Sequence, residues 1–208
     1  MSYRLTFVAI TSPSPISGEA AAIRRLFDCG LDRLHLRRPP SAQVSESEAC
    51  DDCRRLLDSL PDDIVRHTVV HDYFDLARDY PLGGIHLNGR HPEPPVWMAD
   101  IDRLLTVSAS CHSIAEVSAR QAELDYVFLS PVFNSISKQG YASAFTAAEL
   151  ERAAAAGIIN GQVIALGGCC ADTIPLLRQW HFGGAALLGD VWRDTSADHY
   201  LSLRRLLG

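Results

Sequence analysis

Four of the eight histidines, His35, His71, His86 and His112, fall at the ends of short apolar runs. Imidazole is the side chain whose ordinary titration range brackets neutral pH, so such a set points to proton transfer. A single histidine at such a place is more often a packing residue, and that is the reading for His67, His91, His181 and His199. The four differ because other polar side chains join them at the same kind of position: Arg37, Asp72, Ser110 and Ser130. A second group is suited to anions. Gly167-Gly168 and Leu188-Gly189 follow the last two apolar runs, where glycine lets backbone N–H groups approach a phosphate. The stretch 134–140 adds the hydroxyls of Ser135 and Ser137 and the ammonium of Lys138.

Short runs of strand-forming residues alternate with amphipathic segments along the chain, and this alternation has to position those groups. Strands are expected at 5–10, 33–36, 68–70, 84–87, 105–108, 126–129, 163–166 and 184–188. Helical spacing follows at 18–29, 44–60 with Ser41 as its cap, 73–79, 98–103, 114–123, 147–156, 172–180 and 197–207. Eight strand-helix units in 208 residues imply a single-domain (β/α)8 TIM barrel over residues 1–208. In that architecture chemistry belongs at the C-terminal strand ends, which is where the polar residues collect. An open doubly wound sheet would ask for a Gly-rich first turn, and TSPSPIS at 11–17 is not one.

Composition narrows the partners. With 47% hydrophobic residues, 21% charged residues and a net charge of −6, the chain has no field for a nucleic-acid backbone. No apolar run is long enough to span a membrane, and residues 1–10 lack the basic head of a signal peptide, so a cytoplasmic location is expected. The six cysteines read as reduced thiols in a chain that can build a core without staples. Cys50 and Cys53 share a helix face with no second pair to complete a zinc site, and Cys169-Cys170 reads as loop packing. Self-association into a homo-oligomer is left open.

In their order, HLRR, GGIHL, SCHSIAEV, DYVFLSPVFNSISKQG, VIALGG and GGAALLGDVW resemble the thiamine-phosphate synthase and TenI superfamily over nearly the whole chain. The resemblance implies a (β/α)8 barrel that binds a small phosphorylated thiazole. By it, Ser135, Ser137 and Lys138 match the loop contacting phosphate groups, Gly167, Gly168, Leu188 and Gly189 match the thiazole-phosphate cradle, and Arg37 matches an arginine after strand two. The synthase pattern continues to a lysine where this chain has Pro39, carries Asn-Asp where it has His71-Asp72, and supplies a second carboxylate where it reads Asn88-Gly89-Arg90. Asp72 is then the one remaining ligand for magnesium. Magnesium sites use carboxylates together with substrate phosphates, so these losses turn the reading toward the TenI branch, which includes thiazole tautomerases and needs no cofactor. The strand-five block of that branch places a proton-transferring histidine at His112, with His35 and His86 as neighbouring alternatives. Asp190 is unfavourable beside a phosphate loop. The expectation is a TenI-like tautomerase. Its alternatives are a magnesium-dependent synthase using Asp72 and, in another class, a non-catalytic binder of thiazole or thiamine phosphate.

Overall fold

A computed structural model of the chain describes residues 4–101, 104–134 and 143–208. Eight parallel strands close into a barrel in sequence order: β1 (Thr6–Ile10), β2 (Arg33–Leu36), β3 (Thr68–Val70), β4 (Gly84–Leu87), β5 (Thr106–Cys111), β6 (Tyr126–Leu129), β7 (Val163–Leu166) and β8 (Gly184–Leu187). Most are three to five residues long and nearly all buried, because one face meets the barrel interior and the other the surrounding helices. Closure is made by β1 pairing with β8, where Phe7 stands opposite Ala185. The expected (β/α)8 architecture is the observed one.

Outside the barrel run α1 (Glu19–Asp28), α2 (Glu46–Asp58), α3 (Asp62–Val65), α4 (Leu76–Asp79), a 3-10 turn (Val96–Asp100), α5 (Ile114–Arg120), α6 (Ala147–Ala155), α7 (Ile174–Gln179), α8 (Gly189–Arg193) and α9 (Ala197–Leu207). Ser41 does not cap α2. Ser45 does, in a capping box: its hydroxyl accepts from the Glu48 N–H while the Glu48 carboxylate accepts from the Ser45 N–H, and Ser41 instead bridges to Val44. The short helices α3 and α8 carry too few residues to show a periodicity, which is why pattern alone does not find them.

Two apolar clusters result. The larger lies between strands and helices, with Phe7, Leu34, Ile85, Phe182 and Tyr200 fully enclosed. The smaller fills part of the barrel interior with Val8, Ile10, Tyr126, Phe128, Ile164 and Ala186. Each such apolar side chain contributes about 1.5–3 kcal/mol by leaving water. The interior is two-sided: β6, β7, β8 and β1 supply apolar groups, whereas β2 to β5 supply His35, His71, His86, Ser108 and Ser110.

Candidate active site at the barrel rim

His112 sits one residue past β5 and is exposed. Its ring does not cap α5, since that cap is Ser113, whose hydroxyl accepts from the Glu116 N–H at 3.1 Å. Glu116 in turn accepts from the His112 N–H at 2.8 Å, which fixes the backbone from which the ring projects. His112 Nδ1 lies 3.0 Å from the Ser130 carbonyl oxygen at the end of β6. A carbonyl only accepts, so Nδ1 carries the proton and donates it, which leaves Nε2 of the neutral ring as a base. Ser130 thus acts here through its backbone oxygen.

Arg37 follows β2, its backbone held by Thr11, whose hydroxyl accepts from the Arg37 N–H at 2.9 Å and donates to the Arg37 carbonyl at 3.2 Å. The half-buried guanidinium has no hydrogen-bond partner among the described residues. Burial lowers its pKa, against the attraction of Asp72 and with the repulsion of Arg90. A partly desolvated cation facing a rim is a suitable seat for an anion. Asp72, by contrast, is committed. Its carboxylate is 2% exposed and accepts from Arg90 Nη2 at 2.8 Å to both oxygens, from Arg90 Nε at 3.3 Å and from the Asn88 amide at 3.1 Å. The residues standing where a second carboxylate was sought therefore neutralise the first.

His35 and His86 are not on the open rim. Both are fully enclosed one level below it, with His71 nearly so at 5% exposure. The reason is the period of two along a strand: His35 lies between Arg33 and Arg37 on the inward face of β2, and His86 between Gly84 and Asn88 on that of β4. His35 Nδ1 meets His71 Nε2 at 2.8 Å, and its Nε2 meets the Tyr126 hydroxyl at 2.8 Å. His86 bridges Ser108 at 2.8 Å and Ser110 at 2.9 Å, so the Ser110 hydroxyl serves His86. Burial pushes all three imidazoles down, His86 to about 3 and His35 and His71 well below the ordinary histidine range. Uncharged at neutral pH, they make poor general acids.

Gly167 and Gly168 adopt φ of +92° and +67°, and both are pinned by the chain leaving β6. A Cβ on Gly167 would stand 2.9 Å from Pro131, and one on Gly168 would stand 2.4 Å from the Asn134 carbonyl. The Val132 and Phe133 N–H groups donate to the Leu166 and Gly167 carbonyls at 2.9 and 3.0 Å. Whatever else they do, these glycines let the loops after β6 and β7 pack backbone to backbone. Leu188 packs on the interior apolar cluster and Gly189 opens α8. Asp190 is less unfavourable than its charge implies: its carboxylate is 2% exposed and Oδ1 accepts from Arg193 at 2.6 Å, while Oδ2 lies 3.2 Å from His199 Nε2 without a hydrogen bond. Ser135, Ser137 and Lys138 lie outside the described residues.

Three contributors escape sequence reasoning. Thr11 and Glu116 act through backbone contacts, which leave no compositional trace, and Arg90 reaches Asp72 across 18 residues from a loop.

The family model for thiamine monophosphate synthase matches residues 7–191. A thiamine-phosphate synthase of Levilactobacillus brevis is 30% identical over 138 residues, 62% of this chain. The match spans 63% of that relative's length, under two thirds of it. One from Actinobacillus pleuropneumoniae is 25% identical over 174 residues, 83% of this chain and 75% of that protein. Among solved structures, a thiamine phosphate pyrophosphorylase from Bacteroides thetaiotaomicron aligns with a TM-score of 0.81 at 35% identity over 97% of each chain. One from Pyrococcus furiosus shares the fold, with a TM-score of 0.72 at 19% identity over 99% of this chain and 96% of that one.

Proposed function

This chain belongs to the thiamine monophosphate synthase family, and on that premise we propose that it binds a carboxylated thiazole phosphate and isomerises it by proton transfer. The observation that carries the reading is the His112 ring, whose Nδ1 proton is held by the Ser130 carbonyl so that Nε2 is left to accept. In the proposed step Nε2 takes a proton from a ring carbon, the electron pair of that C–H bond enters the ring, and the exocyclic double bond receives a proton from the same nitrogen. Nothing is gained or lost overall, and the ring becomes aromatic. Arg37 and Lys138 would bind the anionic groups and hold the ring carbon to His112.

Coupling of thiazole phosphate to a pyrimidine pyrophosphate is the second reading, favoured by the names of the relatives. The magnesium that the resemblance attaches to that reaction does not fit this corner. Its one carboxylate, Asp72, is bound on both oxygens by Arg90, and no second carboxylate stands beside it in the Asn88-Gly89-Arg90 stretch. The deciding experiment supplies the non-aromatic thiazole tautomer in one reaction, and aromatic thiazole phosphate with pyrimidine pyrophosphate and magnesium in another. Isomerisation without coupling supports the first reading. Coupling that depends on magnesium replaces it with the second, and tight binding with neither product makes the chain a binder of thiazole phosphate.

A further inference from the structure

Inside the barrel, beneath the rim, three adjacent strands each direct one imidazole to a common point. We infer that His35 of β2, His71 just past β3 and His86 of β4 form a binding site for one divalent transition metal of the zinc class. Nitrogen atoms of the three rings lie within 4.8 Å of one another, and all three residues are buried. An all-imidazole donor set suits zinc, cobalt, nickel or copper and is wrong for magnesium, which takes oxygen ligands. The site is therefore distinct in chemistry from the carboxylate corner at Asp72.

The change needed to admit an ion is small. His35 Nδ1 and His71 Nε2 are 2.8 Å apart. Two nitrogens each about 2.0–2.1 Å from a tetrahedral zinc stand roughly 3.3 Å apart, so that pair opens by about half an ångström. The His71 and His86 rings, stacked with centroids 4.2 Å apart, fan outward so that both lone pairs meet the ion.

An outer shell is already in place. The Tyr126 hydroxyl holds the far nitrogen of His35, which is how metal-binding imidazoles are usually oriented, whereas Ser108 and Ser110 hold one nitrogen of His86 each, so one of the two hydroxyls turns away to give its nitrogen to the ion and the other stays as the outer partner. Burial keeps the rings uncharged, so an ion would not compete with protons for them near neutral pH. Three neutral ligands leave the dication its full charge and a fourth position, which calls for an anion or a hydroxide there.

The test needs no substrate, so its result is separable from the fate of the proposed isomerisation. The full chain is stripped with chelator, dialysed and titrated with cobalt(II). One equivalent should bind and develop the visible bands of a four-coordinate ion, and X-ray absorption of the zinc-loaded chain should show three imidazole ligands. His71→Asn and His86→Gln should each weaken binding by at least about 100-fold, more than outer-shell changes usually cost, whereas His67→Gln at the opposite face should not. Absence of stoichiometric binding, or a zinc ion with fewer than three imidazoles in the wild-type chain, would overturn the site even if the variants failed to fold.

Discussion

His112 Nδ1 donates to the carbonyl oxygen of Ser130 across the gap between β5 and β6, at 3.0 Å. The contact sets the tautomer and aims Nε2, so the ring is oriented before any ligand arrives. Because the side chain is exposed, its removal should cost activity and little else. His112→Asn is expected to lower kcat for the thiazole tautomer by roughly 10² to 10⁴ while KM and the melting temperature stay close to wild type. Full turnover by a folded variant would remove His112 from the chemistry.

Arg37 should act on binding. A half-buried guanidinium without a partner among the described residues gains a charge-assisted contact when a phosphate or carboxylate arrives, worth about 1.5–3 kcal/mol. Arg37→Met should therefore raise Kd for thiazole phosphate by roughly tenfold or more, with a much smaller effect on the dephosphorylated alcohol if the phosphate is the partner. Lys138→Ala should behave the same way, as a flexible point charge would. Calorimetry with both ligands separates the cases, and equal losses for the two would place either cation away from the phosphate.

The Asp72–Arg90 pair makes a prediction about stability. Removing Arg90 strands a carboxylate that is 2% exposed, while the guanidinium itself is 46% exposed and partly screened by water. Arg90→Met should cost about 1–3 kcal/mol, below the range for a fully buried pair. Adding Asp72→Asn should restore most of that, because the stranded charge is gone. Urea unfolding of the two variants measures it, and a double variant no more stable than the single one would show that the pair is not what Arg90 contributes.

The barrel was legible because its evidence is repetitive: eight apolar runs, each followed by a helical segment, leave few other architectures for 208 residues. The rim was half legible. His112 lies directly after β5, which runs to Cys111, three residues beyond the end at 108 that the apolar pattern marks. His35 and His86 sit inside strands buried on both faces, where no alternation of polarity marks which side chains point inward, and they were read as rim residues when they belong one level below. Asp72, the expected magnesium ligand, gives no sign in the sequence of being neutralised, because its partner Arg90 lies in a loop whose path no local pattern records.

Three uncharged imidazoles in the interior should make the metal-free fold sensitive to mild acid. In the unfolded chain each protonates near pH 6.5, whereas in the fold burial holds His86 down to about 3 and His35 and His71 well below their ordinary value. Above about pH 6.5 neither state is protonated there, and the histidines contribute no pH dependence. As pH falls below that value the unfolded chain takes up protons that the fold refuses, so stability drops by up to about 1.4 kcal/mol per pH unit for each histidine until the folded value is reached. The loss between about pH 7.5 and about pH 5.5 should therefore be smaller in His86→Gln than in wild type by roughly 1.4 kcal/mol. The comparison uses the change with pH and not the absolute stability, so a variant that is weaker throughout still reports. Chemical denaturation at the two pH values in the presence of chelator gives the difference. Identical losses in wild type and variant would mean that His86 is protonated in the folded barrel as readily as in the open chain, contrary to its enclosure between Ser108 and Ser110.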